Sequence, residues 1–259
     1  MSELICLAPD WPVPANIRAA VTTRAGGVSH APYDGLNVAS HVGDDLAAVA
    51  ANRELLARHL SLPEQPVWLT QVHGVDVLRR DGEHISDVSK PYDACYSNQP
   101  NTVCAVLTAD CLPVLFCSRD GTEVAAAHAG WRGLLAGVLE ATVQQFSCAA
   151  VDIVAWLGPA IGPQSFEVGT EVRAQFLEQR HNVSEQALID CFVKREDDEH
   201  WLCDIYALAR LRLCALGITE VHGGGEDTVV DARRFYSYRR DRNTGRMASL
   251  VWRVENHLP

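Results

Sequence analysis

The sequence predicts an α+β fold, and two observations carry this prediction. Segments with the short, apolar and bounded pattern of β-strands outnumber the helical patterns by six to three. The two kinds of segment do not alternate along the chain, as they would in a doubly wound parallel sheet. Because the sequence has no internal repeat, low-complexity segment or Pro/Gly-rich linker, we expect a single domain over residues 1–259.

The individual elements follow from local patterns of apolar residues. Runs rich in Val, Ile, Leu or Ala, bounded by polar or turn residues, predict strands at 17–22, 66–71, 102–108, 113–117, 123–128 and 151–157. Apolar side chains at helical spacing predict helices at 45–60, 133–146 and 201–216. The charged run at 194–200 is typical of a solvated loop.

Composition argues against several classes of function. The formal net charge of −11 disfavours non-specific binding to nucleic acid or to an anionic membrane, since both require a basic surface. Nine cysteines, an odd number partly placed in apolar runs, are typical of free thiols in a reducing compartment. The first residues lack the pattern of a signal peptide, and no apolar run is as long as a membrane span. We therefore expect a cytoplasmic protein.

A cysteine and a histidine stand at the ends of two predicted strands. Cys111 follows the strand at 102–108 and precedes Pro113, which prevents a helix from continuing there. His128 closes the strand at 123–128. Because strand ends and the loops beyond them usually present binding groups, the two side chains can share one site if these strands are neighbours.

The residues after His128 have the pattern of an anion site. Gly130 and Gly133 flank a predicted helix start, where free backbone N–H groups and the positive end of the helix dipole attract anions. Arg132 adds a positive charge at the same place. We expect an anion bound here to lie close to His128.

A third candidate ligand is His73, which also follows an apolar segment and precedes a glycine. Zinc prefers thiolate and imidazole ligands, and catalytic zinc keeps a fourth position open beside three protein ligands. We therefore predict a zinc site made of His73, Cys111 and His128. The spacing matches no zinc finger or two-histidine protease helix, so the residues alone also allow a buried thiol and two structural histidines.

Seven segments, in order along the chain, carry a resemblance to a known family. They are TRAGGVS at 23–29, LNVASHVGDD at 36–45, QVHG at 71–74, TADCLP at 108–113, HAGWRG at 128–133, LGPAIG at 157–162, and FYSYRR with TGR at 235–240 and 244–246. The sequence resembles the proteins long called multicopper polyphenol oxidases or laccase-domain proteins, now described as zinc-dependent purine nucleoside phosphorylases.

This resemblance implies a single domain of mixed β-sheets covered by helices, with Zn²⁺ as cofactor. In it, His73, Cys111 and His128 match the family's metal ligands. The implied reaction is phosphorolysis of adenosine and inosine to the free base and ribose 1-phosphate, and related members also cleave methylthioadenosine and deaminate adenosine. One departure concerns the residues at 225–228, where similar proteins often carry a Cys-Thr pair and this chain has Gly-Glu-Asp-Thr.

Further candidates lie in the matching segments. Arg24, Arg132 and Arg240 are candidates for bidentate phosphate binding, although each could equally form a structural ion pair. Asn37 either hydrogen-bonds the substrate or fixes its loop. Asp110 either holds a ligand histidine in one tautomer or caps a turn.

Three other functions remain as alternatives. Two histidines and one cysteine also match a blue-copper ligand set, and copper can displace zinc in vitro, but Met1 and Met247 are the only methionines and no His-X-His pair occurs. A thiol hydrolase or amidase acting on peptidoglycan precursors would use Cys111 as nucleophile and His128 as base, with Asp110 orienting the base. The third alternative is a non-catalytic metal-binding module. The preferred nucleoside, the native metal and a homodimer are left open.

Overall fold

The computed structural model describes residues 3–82, 87–196 and 199–255. The strands are β1 Cys6–Leu7, β2 Ile17–Thr22, β3 Val77–Arg80, β4 Ala94–Ser97, β5 Cys104–Thr108, β6 Leu112–Ser118, β7 Val124–Ala129, β8 Ile153–Leu157, β9 Glu167–Gly169, β10 Phe192–Lys194, β11 His200–Cys203, β12 Glu220–Gly223 and β13 Met247–Arg253. The helices are α1 Leu46–Leu60, α2 Trp131–Ala136, α3 Val138–Val143, α4 Thr170–Glu178, α5 Glu185–Ile189, α6 Ile205–Ala215 and α7 Tyr238–Asp241. The predicted α+β class is confirmed.

The largest sheet is mixed and has the strand order β12-β8-β6-β7-β4-β3. Its outermost pairs, β12 with β8 and β3 with β4, are parallel, whereas the three inner pairs are antiparallel. A second sheet, in the order β1-β2-β13-β5, is antiparallel throughout. The third sheet, β10-β11-β9, is small and also antiparallel.

Both faces of the large sheet are buried, as alternation along β6 shows. Leu115 and Cys117 pack with residues of β2, β5 and β13, so this face lies against the second sheet. Val114 and Phe116 point the other way and pack with residues of α2, α3 and α6. The outer face of the second sheet is covered by α1 and by the loop that precedes it, through residues such as Leu56. The layers therefore run helix, sheet, sheet, helices.

Three sequence predictions need correction, and the first concerns the helix predicted at 133–146. The structure has two short helices here, because Gly137 adopts a left-handed conformation with φ 106°. Its N–H caps α2 by donating to the carbonyls of Gly133 and Leu134. Glycine tolerates this conformation, so the apolar pattern continues across a break in the helix.

The second correction concerns residues 66–71, which form no strand. A side chain replaces the strand pairing: Gln71 Nε2 donates to the Leu107 carbonyl at 2.8 Å, and the Leu107 N–H donates to Gln71 Oε1 at 2.7 Å. The amide of one glutamine thus satisfies the backbone of β5 where a neighbouring strand was expected.

The third correction concerns the helix predicted at 201–216. Residues His200–Cys203 pair with β9 and β10 as a strand, and α6 begins only at Ile205. Asp204 sets this start, since its side chain accepts a hydrogen bond from the Ala207 N–H.

The charged run at 194–200 joins β10 to β11 through exposed Arg195 and Glu196, and residues 197–198 lie outside the described part of the chain. Within the described residues, no helix has the length and apolar character to cross a membrane.

Candidate metal centre and arginine cavity

The structure brings the three predicted ligands together beside the ends of two central strands of the large sheet. Strands β6 and β7 are antiparallel neighbours with Leu112 opposite Ala129, which places Cys111 and His128 side by side. His73 reaches them from the turn before β3. The ligand atoms of the three residues all lie within 4.8 Å of one another, and Cys111 Sγ is 3.6 Å from His73 Nε2.

This close approach requires a glycine at position 130. A Cβ atom there would lie 2.8 Å from Cys111 Sγ and 2.8 Å from His73 Cδ2, much closer than van der Waals contact. His73 itself has a φ of 62°, a left-handed conformation that is unusual for histidine. The backbone at Gly130 and His73 therefore adopts the conformation that lets the ligand side chains come close together.

A buried carboxylate, Asp93, supports the site from behind. Its Oδ1 lies 2.8 Å from His128 Nδ1, which leaves Nε2 of that ring free to bind a metal. The same carboxylate accepts hydrogen bonds from the backbone N–H groups of Val72, His73 and Gly74 at 3.1, 2.9 and 2.6 Å. One side chain thus orients one ligand and holds the turn that carries another. Sequence reasoning missed Asp93, which follows no recognisable strand or motif.

The ionisation of the site favours a metal-binding thiolate. Burial acts to raise the pKa of the Cys111 thiol, but the positive charge and hydrogen bond of His128, together with His73, lower it to about 6. Burial acts to lower the pKa of His128, but the Cys111 thiolate and the Asp93 carboxylate raise it to about 9. The metal-free pair is therefore a thiolate and an imidazolium, and metal binding would release the imidazolium proton.

The donor set fits zinc, since one thiolate and two imidazoles are preferred zinc ligands and three protein ligands are typical of catalytic sites. The fit to blue copper is poorer. Met247, a candidate axial ligand, is fully buried in the second sheet, and its sulfur accepts a hydrogen bond from the Tyr236 N–H at 3.1 Å. Met1 lies outside the described residues.

The three ligands open into a cavity of about 450 Å³ with a strongly cationic lining. Four arginines line it: Arg132, Arg239, Arg242 and Arg246. Within the described residues, none of them forms an ion pair with a carboxylate. Arg246 is half-buried, and burial is the main cause that lowers its pKa. Arg239 and Arg246 also donate to backbone carbonyls. Several arginines without carboxylate partners around one cavity are the arrangement expected of an anion site.

Of the arginines predicted from the sequence, the structure places Arg132 in this cavity and the other two elsewhere. Arg24 forms an ion pair with Asp34 at 3.1 Å and stacks over the Tyr236 ring at 4.8 Å. Arg240 donates to the backbone carbonyls of three residues and pairs with its neighbour, Asp241. Both arginines are held as structural cations.

Asn37 and Asp110 also have structural partners. Asn37 is fully buried, donates to Asp44 Oδ2 at 2.8 Å and accepts from the Arg246 N–H at 3.0 Å, so it fixes its loop. Asp110 lines the cavity, but its carboxylate accepts hydrogen bonds from the Thr228 hydroxyl and the Arg239 N–H, both at 2.6 Å. Of the two roles considered for Asp110, contact with a candidate ligand histidine is made by Asp93 instead. Asp110 instead connects the strand end to the two loops beyond it.

The sequence matches the family described as multi-copper polyphenol oxidoreductase laccase over residues 18–254. The chain belongs to this laccase family. Several of its relatives carry a different name. Purine nucleoside phosphorylase YfiH of Escherichia coli is 53% identical over 254 residues, covering 98% of this chain and all of that protein. A Pseudomonas aeruginosa protein, also named purine nucleoside phosphorylase, is 53% identical over 95% of this chain and 97% of its own length.

Solved structures of similar proteins share the fold. A Neisseria meningitidis protein with 44% identity superposes with a TM-score of 0.89, covering 96% of this chain and 99% of that one. YlmD from Geobacillus stearothermophilus, 30% identical, has a TM-score of 0.84 over 93% of both chains. These two proteins therefore share one architecture with this chain over nearly its whole length.

Proposed function

We propose that this protein is a zinc-dependent purine nucleoside phosphorylase. It would convert adenosine, inosine or methylthioadenosine and phosphate to the free base and the ribose 1-phosphate. One observation carries the proposal: a zinc-type ligand set faces the same cavity as four arginines that have no carboxylate partner in the described part of the chain. Its volume of about 450 Å³ lies within the range of small-molecule sites. The Escherichia coli and Pseudomonas aeruginosa relatives are named purine nucleoside phosphorylases, in agreement with this activity.

The charges in the cavity assign separate roles to the metal and to the arginines. Zinc held by His73, Cys111 and His128 would supply a Lewis acid that orients phosphate or lowers the pKa of a bound water. The arginines bind the phosphate dianion through charge-assisted hydrogen bonds and bring it against the nucleoside. A phosphate oxygen then bonds to C1′ of the ribose as the bond from C1′ to N9 of the purine breaks. Asp93 keeps the ligands in place throughout.

The proposal extends to deamination of adenosine to inosine. Both reactions need an oxygen nucleophile beside a purine nucleoside, phosphate in one and water in the other. The same cavity can hold either nucleophile, and deamination is expected to continue when phosphate is left out.

A metal-free thiol hydrolase is the second candidate, and Asp93 is the observation that favours it. Cys111, His128 and Asp93 form a thiol–imidazole–carboxylate sequence, with the carboxylate 2.8 Å from the imidazole nitrogen. Such an enzyme would act on amides and would need neither zinc nor phosphate.

The deciding experiment measures purine release from adenosine and inosine with and without phosphate. Three samples are compared: the zinc-loaded protein, the chelated protein and the same chelated protein after zinc is restored. We expect base release that needs phosphate, disappears on chelation and returns with zinc. Amide hydrolysis that survives chelation would support the thiol hydrolase. Absence of turnover of either nucleoside by the zinc-loaded protein would refute the phosphorylase.

A further inference from the structure

The loop at 36–44 is held by an unusual number of buried polar side chains. Asn37 and Asn52 are both fully buried. Asn52 Nδ2 donates to the Asn37 carbonyl at 2.8 Å, and the Arg53 side chain donates to the Val38 carbonyl at 2.9 Å. Burial of two amides is tolerated only when they are hydrogen-bonded, and here their bonds fix the backbone of this loop.

The other end of the loop is held in the same way. The Tyr33 hydroxyl donates to the Val42 carbonyl at 2.7 Å. Asp44 Oδ2 accepts from the Ser29 hydroxyl at 2.6 Å and from Asn37 Nδ2 at 2.8 Å. The backbone between Val38 and Val42 is therefore fixed on both sides.

One residue of this loop, His41, lines the cavity at a position that remains exposed to solvent. Within the described residues, neither of its ring nitrogens forms a hydrogen bond with the protein. Partial burial and the positive charges of Arg246 and Arg53 lower the pKa of His41, which favours the neutral form of the ring. The result is an imidazole with one free donor and one free acceptor, held by a rigid loop beside the anion site.

The charge of His41 decides which part of the ligand it suits. Phosphate already has four guanidinium groups in this cavity, and a neutral ring adds little to the binding of a dianion. The purine is uncharged when it binds but gains negative charge as the glycosidic bond breaks. A neutral N–H donor stabilises such a charge without repelling the neighbouring arginines.

We propose that His41 is a catalytic residue of this cavity that donates a hydrogen bond to N7 of the departing purine. This inference rests on the phosphorylase activity proposed above. In the reaction, a hydrogen phosphate oxygen bonds to C1′, and the electron pair of the C1′–N9 bond passes to the purine. The proton carried by hydrogen phosphate finally neutralises the base. No further acid is consumed, and the imidazole ends the cycle neutral.

The test compares two leaving groups. Adenosine releases a base that needs stabilisation, whereas 4-nitrophenyl riboside releases a phenolate that is already stable. We expect His41→Ala to lower kcat/KM for adenosine about a hundredfold and to change the rate with the nitrophenyl riboside by less than about threefold. His41→Gln, whose amide can still donate, should recover part of the loss. His59→Ala, an exposed histidine of α1, is the matched control.

A binding measurement gives an independent readout. In titration calorimetry, wild-type protein should bind the product base adenine more tightly than 7-deazaadenine, which lacks N7, and His41→Ala should remove that preference. An equal loss on both leaving groups, or a preference for adenine that survives in His41→Ala, would overturn the role of His41. Wild-type protein inactive on every nucleoside would instead refute the phosphorylase itself. Zinc content and melting temperature should match the wild type, since the free ring contributes no hydrogen bond to the fold.

Discussion

The two sides of the cavity are built on opposite principles. On the metal side, Cys111 and His128 stand on neighbouring strands and a buried carboxylate, Asp93, fixes both His128 and the turn that carries His73. On the other side, the segment at 237–246, which contains α7, presents Arg239, Arg242 and Arg246, and none of these three pairs with a carboxylate within the described residues. On the metal side the carboxylate and the turn amides already bond to each other, whereas the cavity arginines keep positive charges that a bound anion would neutralise. We therefore expect changes to the metal side to abolish activity and changes to the arginine side to weaken affinity for phosphate.

The largest expected effect is that of Cys111→Ala. Loss of the thiolate removes one of three ligands, so tightly bound zinc should be lost and nucleoside turnover should fall by more than about a hundredfold. Metal analysis of dialysed protein and the rate of base release measure the two effects. Cys214→Ala, at an exposed thiol, should leave both unchanged. A Cys111→Ala protein with normal activity would exclude metal catalysis at this site.

The second-largest effect is on zinc affinity, and it should separate the roles of the Asp93 and Asp110 carboxylates. Asp93→Asn should weaken zinc affinity about tenfold to a hundredfold, because its carboxylate orients His128 and binds three backbone amides. Asp110→Asn should change zinc affinity far less, since its carboxylate bonds to Thr228 and to the Arg239 amide. Competition with a chromophoric chelator measures both affinities. Equal effects of the two substitutions on zinc affinity would contradict the different roles assigned to Asp93 and Asp110.

A smaller effect is expected on the arginine side. Arg242→Gln should raise the KM for phosphate about tenfold while kcat changes little, consistent with loss of one hydrogen bond to a charged group. Arg233→Gln serves as control, since Arg233 is exposed and does not line the cavity. Steady-state kinetics at varied phosphate concentration give both constants. A fall in kcat at unchanged KM would mean that Arg242 does not act by binding phosphate.

The smallest effect concerns Arg24, which the motif suggested as a phosphate ligand. Its partner Asp34 is largely exposed, so the ion pair contributes no more than about 1 kcal/mol. Arg24→Ala should leave the KM for phosphate unchanged and lower the melting temperature by about 2–4 °C or less. Thermal unfolding and kinetics on the same preparation check both statements. A clear rise in KM would extend the anion site beyond the cavity.

The difference between the metal side and the arginine side also explains which parts of the candidate site could be predicted from the sequence. The candidate ligands Cys111 and His128 could be predicted because each stands near the end of an apolar strand, close to a proline or a glycine. His73 follows a segment that forms no strand, so its prediction depended on the family resemblance of the segment at 71–74. Asp93 gave no such signal, because it precedes a strand of only four residues and acts through backbone amides of a distant turn. Its role depends on tertiary contact alone.

The arginines show a second limit. Arg239 and Arg240 are adjacent in one motif, yet only Arg239 lines the cavity, although the guanidinium groups of both donate to backbone carbonyls. Sequence located the segment but not the direction of each side chain. The break at Gly137 and the side-chain pairing of Gln71 have the same origin, since both depend on local geometry that apolar periodicity does not report.

The shared carboxylate of Asp93 also has a consequence for the dynamics of the protein. Because one carboxylate accepts hydrogen bonds from the amides of residues 72–74 and also contacts the ring of His128, a displacement of Asp93 would disturb the supports of both histidines at once. Local opening around Asp93 is therefore expected to loosen both candidate ligands together. For a metal bound here, the rate of dissociation would depend on how often that local opening occurs.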